Sequence, residues 1–324
     1  MDQWFSVFDK KGDYFLSYSA YSIKMLIESP TLNRQDFSDT ALIMQGQVRK
    51  SNRKIIWMLK NYLNNHKNLV IIISTWEGDD NENAKKVLSK LSDLENERVK
   101  IVTSPLPDYA GIANINLQIV STLKGLRTAH QLGKDFVVKT RTDQGLLKHD
   151  AIQILKSNWA RFNDKESFLE RIVIGSRNTF LFRFFSFSDM LHFGTVKTLI
   201  EFWETPLDHR KEYDLPVTKS ESAKDWSTMN LAEVYLVRNY LQRKDIPNNL
   251  DFRTHLEALL NCFIVVDSES LGFTWTKYGY NKSPWLKNGF PYVKYEVSHS
   301  DWLEGEMLLE NASDIEQHSE AKWI

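Results

Sequence analysis

The sequence predicts an α/β fold, a Rossmann-type, mainly parallel sheet flanked by helices, with a less regular C-terminal half. Three observations carry this. Strand-sized runs such as "LVIII" are apolar throughout, as expected of strands covered on both faces. Those runs alternate with segments of helical periodicity, the pattern of a parallel sheet wrapped by helices. The runs end in polar residues, the usual form of the carboxyl ends of such strands.

The elements follow in order. Residues 1–40 read as an N-terminal extension packed on the core, closing with the turn-rich "ESPTLNRQDFSD". "TALIMQGQ" is a short strand stopped by Gln45 and Gly46. "SNRKIIWMLKNYLNNH" places Ile55, Met58, Leu59 and Tyr62 on one helix face. "NLVIIISTWEGDD" is a buried strand, "NENAKKVLSKLSDL" a helix and "RVKIVTSPLP" the next strand. "NINLQIVSTLKGLRTAHQLG" makes a longer helix, with Asn114 or Asn116 placed to cap its start and Gly133 to end it. "DFVVKTRTD" is the fourth strand.

Beyond it, "RIVIGSR" and "LFRFFSFSDMLHFG" read as strands and "GTVKTLIEFWE" as a helix. "HRKEYDLPVTKSESAKD" reads as a mobile loop and "MNLAEVYLVRNYLQRK" as a strong helix. "NCFIVVDS" and "YVKYEVSHS" read as late strands. Residues 41–310 are thus expected to form one domain with halves 41–145 and 146–310, followed by a polar tail, 311–324.

Composition narrows the function classes. The 324 residues carry a formal net charge of -1, which gives no global field for nucleic acid. Any anionic ligand must be caught by a local charge cluster. Cys262 is the single cysteine, so no disulfide framework or CxxC metal site is available. The apolar runs are far short of the roughly 20 residues of a membrane span, and a cytoplasmic location is expected. Neither G-x-G-x-x-G nor G-x-x-x-x-G-K-[ST] occurs, which argues against dinucleotide-binding and P-loop enzymes.

Four strand ends supply the candidate site: Gln45 and Gly46; Ser74, Thr75, Trp76 and Glu77; Ser104 with Pro105; Arg141 and Asp143. Alternation puts Arg141 and Asp143 on one side of "KTRTDQ". An acid there can hold a divalent metal through oxygen, and a guanidinium can fork onto phosphate. The same spacing also suits a plain ion pair at the sheet edge. Asp189 and His192, with Gly194 beyond them, offer a base, a metal ligand or an acceptor clamp, and also suit a helix cap and a packed ring. Glu233 at a helix start reads either as a general base or as a surface acid favoured by the helix dipole. His299 in "SHSD" is a candidate metal ligand or a solvated ring. Arg171, Arg177 and Arg183 read by default as a solvated basic flank.

"LIMQGQV", "IISTWEG", "NINLQIVSTLKGLRTA", "VVKTRTDQ", "FSDMLHFG" and "AEVYLVRNYL" occur in an order and spacing that resembles the WavE lipopolysaccharide-synthesis family. That family is similar to glycosyltransferases of the GT-A fold. The resemblance implies transfer of a sugar from a nucleotide-sugar to a growing bacterial surface glycan, lipopolysaccharide or capsule, by an inverting mechanism. It makes 41–145 the nucleotide-binding half and 146–310 the acceptor half. Donor contacts are expected from Gln45, Gly46, Ser74, Thr75, Trp76, Asn116, Gln118, Lys139, Arg141 and Asp143. Asp143 would be the last acid of a D-x-D element that binds Mn²⁺ or Mg²⁺, and His299 would complete that metal site. Arg141 stands where the first acid is usual, a departure that implies weaker metal dependence. His192 and Gly194 would lie near the acceptor, and Glu233 or Asp189 would take the acceptor proton. An oligosaccharide or lipid-linked acceptor implies peripheral contact with the inner membrane. The alternatives are a non-catalytic glycan- or nucleotide-binding scaffold and a metal-dependent nucleotidyltransferase.

Overall fold

The computed structural model describes residues 7–8, 14–15, 36–49, 53–91, 93, 97–163, 169–212, 222–275 and 296–313. Most of the N-terminal extension, most of the polar tail, residues 213–221 of the expected loop and residues 292–295 of "YVKYEVSHS" lie outside the described residues.

The core is a seven-stranded sheet. Its strands are β1 (Thr40–Gln45), β2 (Val70–Trp76), β3 (Val99–Ser104), β4 (Phe136–Arg141), β6 (Ile172–Gly175), β7 (His192–Thr195) and β8 (Phe263–Val266). The spatial order is β8-β6-β7-β4-β1-β2-β3. β3, β2, β1 and β4 run parallel. β6 and β8 are parallel to each other, whereas β7 is antiparallel to both of its neighbours. Strands from both predicted halves therefore share one sheet. A separate ribbon pairs β5 (Gln144–Leu146) with β9 (Phe273–Trp275).

Helices cover both faces. α1 (Arg53–Asn65) buries Ile55, Met58, Leu59 and Tyr62, the face its periodicity specified. The Tyr62 hydroxyl accepts the backbone N–H of Leu146 at 2.7 Å, which fastens β5 to α1. α3 (Ile115–Gln131) lies on the opposite face, where Gly125 lets the helix close on Ile43 of β1. α2 (Asp79–Leu88) packs against β2 and β3, and α4 (Ala151–Phe162) packs against β6, β7 and β8. α5 (Val196–Trp203), directly after β7, packs on α3. α7 (Ala232–Arg243) then packs on α5, with Phe202 and Tyr240 ring centroids 5.2 Å apart. The short α6 (Ala223–Thr228) precedes α7, and α8 (Phe252–Cys262) leads into β8. α9 (His299–Leu303) and α10 (Gly305–Glu310) lie beside β8 and α8.

Three expectations need correction. "LFRFFSFSDML" is not strand: residues 176–191 form an irregular loop, and only His192–Thr195 pairs. Its phenylalanines are buried instead around His255 of α8, whose Nδ1 accepts the Phe185 N–H at 2.9 Å. The described end of "YVKYEVSHS" pairs only as an isolated bridge, Glu296 with Phe180, before Ser298 caps α9. Neither Asn114 nor Asn116 caps α3 through its side chain. Asn114 occupies the cap position with left-handed backbone and no side-chain bond, and Asn116 lies inside the helix.

A Cβ on Gly125 would meet Ile43 Cγ2 at 2.7 Å. Gly125→Leu should therefore overpack the α3–β1 contact and cost about 1–3 kcal/mol, read as a lower denaturant midpoint. An unchanged midpoint would show that this contact is not close-packed.

Candidate functional site

The carboxyl ends of the parallel strands form one edge of the sheet, and the chain builds a charged site there. β4 delivers Arg141 to the edge and the following turn delivers Asp143. Arg141 Nε donates to Asp143 Oδ1 at 3.1 Å, and both side chains are more than two-thirds buried. Trp275 of β9 donates its indole N–H to Asp143 Oδ2 at 3.1 Å, while the Arg141 guanidinium lies 5.8 Å from its ring centroid. The sequence contained no sign of Trp275, because its place depends on a ribbon pairing with β5.

Above β1, Gly46 adopts φ 111, a conformation that side chains rarely tolerate. Its turn is tied to β4 by two bonds, Thr142 N–H to the Gln45 carbonyl at 3.0 Å and Thr142 Oγ1 to the Gln47 carbonyl at 2.7 Å.

The loop 176–191 brings further charges over this edge. β7 begins there because it runs antiparallel, with His192 opposite Lys139. Asp189 is buried next to Glu233, the second residue of α7. Burial raises the Glu233 carboxyl above the usual range, the Asp189 charge raises it further, and Arg183 and Arg141 pull it back. Arg183 itself is buried rather than solvated, with its guanidinium 4.4 Å from the Phe180 ring centroid and 5.1 Å from that of Trp226. Arg171 and Arg177 are also engaged. Arg171 donates to the Leu260 and Phe162 carbonyls, and Arg177 pairs with Glu269 and Glu296.

Several expected ligand contacts are instead used by the protein. Gln45 Oε1 accepts from Ser121 Oγ at 2.8 Å, and Ser74 Oγ donates to the Ser121 carbonyl at 2.6 Å, which locks β1 and β2 to α3. Asn116 is buried with its amide fully occupied: Nδ2 donates to the Tyr109 and Asp208 carbonyls and Oδ1 accepts the Asp208 N–H at 2.6 Å. Thr75 and Trp76 are buried at the end of β2, and the Thr75 hydroxyl has no hydrogen-bond partner among the described residues. The buried Gln118 Oε1 likewise has no hydrogen-bond donor. It lies three residues before Ser121, so helical spacing aims it at the same edge as Arg141.

Lys139 does not reach the edge. It is fully buried, with Nζ donating to the Asp189 carbonyl and lying 4.7 Å from the Trp203 ring centroid. His192 is a satisfied core histidine. Its Nδ1 accepts from Trp203 Nε1 at 3.1 Å, so Nε2 carries the proton and donates to the Ser188 carbonyl at 2.8 Å. Burial, reinforced by the Lys139 charge, pushes its pKa down to about 3. Gly194 is also misplaced by the sequence expectation. It pairs with Val137, four residues before Arg141 and so roughly 13 Å back along β4. His299 Nδ1 bonds the Val265 carbonyl of β8 at 2.6 Å and its N–H bonds Asp267 Oδ1 at 2.9 Å. β8 lies three strands from β4, roughly 14 Å across the sheet, so His299 and Asp143 do not share a site.

A metal at Asp143 fits poorly. Both of its carboxylate oxygens are held, one by a guanidinium and one by an indole. Among the described residues no cluster of three or more His, Cys, Asp or Glu is placed to hold a metal ion.

Fold and site together define an α/β protein with a charged cluster at the carboxyl edge of a mainly parallel sheet. A family model for WavE lipopolysaccharide synthesis matches residues 41–320, and the chain belongs to that family. A comparison with curated protein sequences gives no match. Among solved structures, the chain is similar to a cytidylyltransferase from Leptospira borgpetersenii at 12% identity and TM-score 0.38, covering 86% of this chain and 97% of that one. It is also similar to the galactosyltransferase LgtC in complex with donor and acceptor sugar analogs, at 11% identity, TM-score 0.37 and 71% and 73% coverage. A nucleotide-diphospho-sugar transferase from Desulfovibrio desulfuricans is similar at 10% identity, TM-score 0.37 and 85% and 98% coverage. Among the described residues no helix is long and apolar enough to cross a membrane.

Asn116→Ala should cost about 1–3 kcal/mol, because it leaves buried partners of the Asn116 amide unpaired. Chemical denaturation measures it; unaltered stability with lost ligand binding would return Asn116 to the donor site.

Proposed function

We propose that the protein is a glycosyltransferase that moves a sugar from a nucleotide-sugar to a growing bacterial surface glycan. One observation carries this reading: a carboxyl group, Glu233, lies within electrostatic reach of Asp189, Arg183 and Arg141, the last at the carboxyl end of β4. Membership of a lipopolysaccharide-synthesis family is consistent with it. The departing nucleoside diphosphate gains negative charge as the glycosidic bond breaks, and guanidinium groups stabilise that charge with bidentate geometry. Arg141 is the first candidate, held in place by Asp143 and Trp275, with Arg183 behind it. Gln118 Oε1, an acceptor with no donor, suits a donor-substrate hydroxyl or N–H group.

Glu233 takes the proton of the acceptor hydroxyl. A base works best when its pKa lies near the working pH, and burial together with Asp189 moves Glu233 in that direction. In-line attack assisted by one such acid inverts the anomeric configuration. Mn²⁺ or Mg²⁺, where bound, would add positive charge at the diphosphate. In this reading the arginines already provide that charge, so transfer persists in EDTA. The acceptor is an oligosaccharide or lipid-linked glycan, which places the enzyme at the inner membrane surface.

Thermal shifts with UDP, GDP, CMP and dTDP test the donor class. A nucleotide at 100 times its dissociation constant should add about 2.7 kcal/mol of stability, and Arg141→Ala should remove most of that gain. No response to any nucleotide would overturn the reading, and pyrophosphate release from a nucleoside triphosphate would replace it with nucleotidyl transfer.

The rate profile supplies a second test. Glu233 must be ionised to accept a proton, so kcat/KM falls as pH drops through its raised pKa. Asp189→Asn removes a charge that raises that pKa, and the acid limb should move to lower pH. Glu233→Gln should slow turnover by about 10²–10⁴-fold. An acid limb that stays in place in Asp189→Asn would remove Glu233 from the role of base.

A further inference from the structure

We propose that Lys139 is a positioning residue for the acid pair, seating the backbone that carries Asp189 and supplying a buried positive charge beneath it. This rests on the reading of Glu233 as the base, with Asp189 raising its pKa. A lysine in the middle of a central strand, between Val138 and Thr140 and with no exposure, costs desolvation and side-chain entropy that an apolar residue would avoid. The geometry shows what it does there. Two successive carbonyls of the loop are each taken by a side chain rising from the sheet. His192 Nε2 takes the Ser188 carbonyl and Lys139 Nζ takes the Asp189 carbonyl. Trp203 fixes both side chains from below, donating to His192 Nδ1 at 3.1 Å and presenting its ring to the Lys139 ammonium. His192 and Lys139 are partners in the β4–β7 register, so the sheet itself sets the spacing of the two clamps.

Among the described residues, charges around the ammonium and the acid pair come from three segments. β4 and the turn after it contribute Lys139, Arg141 and Asp143. The loop contributes Asp189 and Arg183, and α7 contributes Glu233. His192, from β7, stays neutral. Among the described residues Arg183 also interacts with the Glu296 carboxyl. Burial pulls the Lys139 ammonium down to about 7, Asp189 opposes this and Arg141 adds to it, so the charge is present throughout the acid range. Removing it leaves the acid pair with excess negative charge, which favours its protonated form.

The full-length chain tests this with Lys139→Met, which loses charge and donor, and Lys139→Arg, which keeps both. Lys139→Met is expected to lower kcat by about 10²-fold, the scale of a 1 Å misplacement, while nucleotide-induced thermal shifts stay near wild type. Its acid limb should move to higher pH and the amides of 188–190 should exchange faster. Lys139→Arg should return the limb toward the wild-type position. If Lys139→Met does not fold, Lys139→Gln, which retains an N–H donor without charge, must still move the limb upward. A folded charge-lacking variant with wild-type kcat and an unmoved acid limb overturns the proposal. If the wild type transfers no sugar, the functional reading fails by itself. The exchange rates then decide the positioning claim, and unchanged protection at 188–190 overturns it.

Discussion

The antiparallel pairing of β7 with β4 is the constraint on which the site depends. A parallel strand in that place would begin at the opposite edge, and the loop before it would lie under the sheet. Because β7 runs backwards, the chain leaving β6 must cross the carboxyl edge before it enters β7 at His192. That crossing carries Arg183 and Asp189 over the end of β4. It also sets His192 opposite Lys139, so one register places both the clamps and the loop they hold.

The loop is irregular in backbone yet densely anchored. Its phenylalanines pack around His255, and Phe185 accepts left-handed backbone while donating to the His255 ring. Buried aromatic area and a few backbone hydrogen bonds offset the missing sheet ladder. Rigidity here matters more than regularity, because charge stabilisation requires groups that are already oriented when charge develops. The Arg141–Asp143 pair shows the same economy. Taken alone it is an ion pair of small value for stability. Joined to the Trp275 indole, it becomes a guanidinium held at a defined angle on the strand end.

Much of this was legible in the sequence. The four parallel strands and the helices between them were readable because apolar runs and helical spacing are local properties. Arg141, Asp143, Asp189 and Glu233 were readable as candidates because strand ends and helix starts can be located from those same patterns. Errors arose where a polar residue had two physically reasonable partners. Asn116, Gln45 and Ser74 had the chemistry of ligand contacts, yet they bond across α3 and its neighbours. Arg183 had the spacing of a solvated flank, but the Phe180 ring of its own loop and the Trp226 ring of α6 enclose it.

The sequence by itself determined the four parallel strands of residues 40–141, the helices between them and the candidate charges at their ends, since each follows from residues within one or two turns. Only the tertiary structure decided which charges meet. Lys139 turns inward to Asp189 and Trp203, His299 settles on β8 instead of beside Asp143, and Trp275 arrives from a ribbon far along the chain. Those outcomes depend on strand order and on the reversal of β7. Local patterning is silent on both, because a strand buries the same residues whichever neighbour it pairs with.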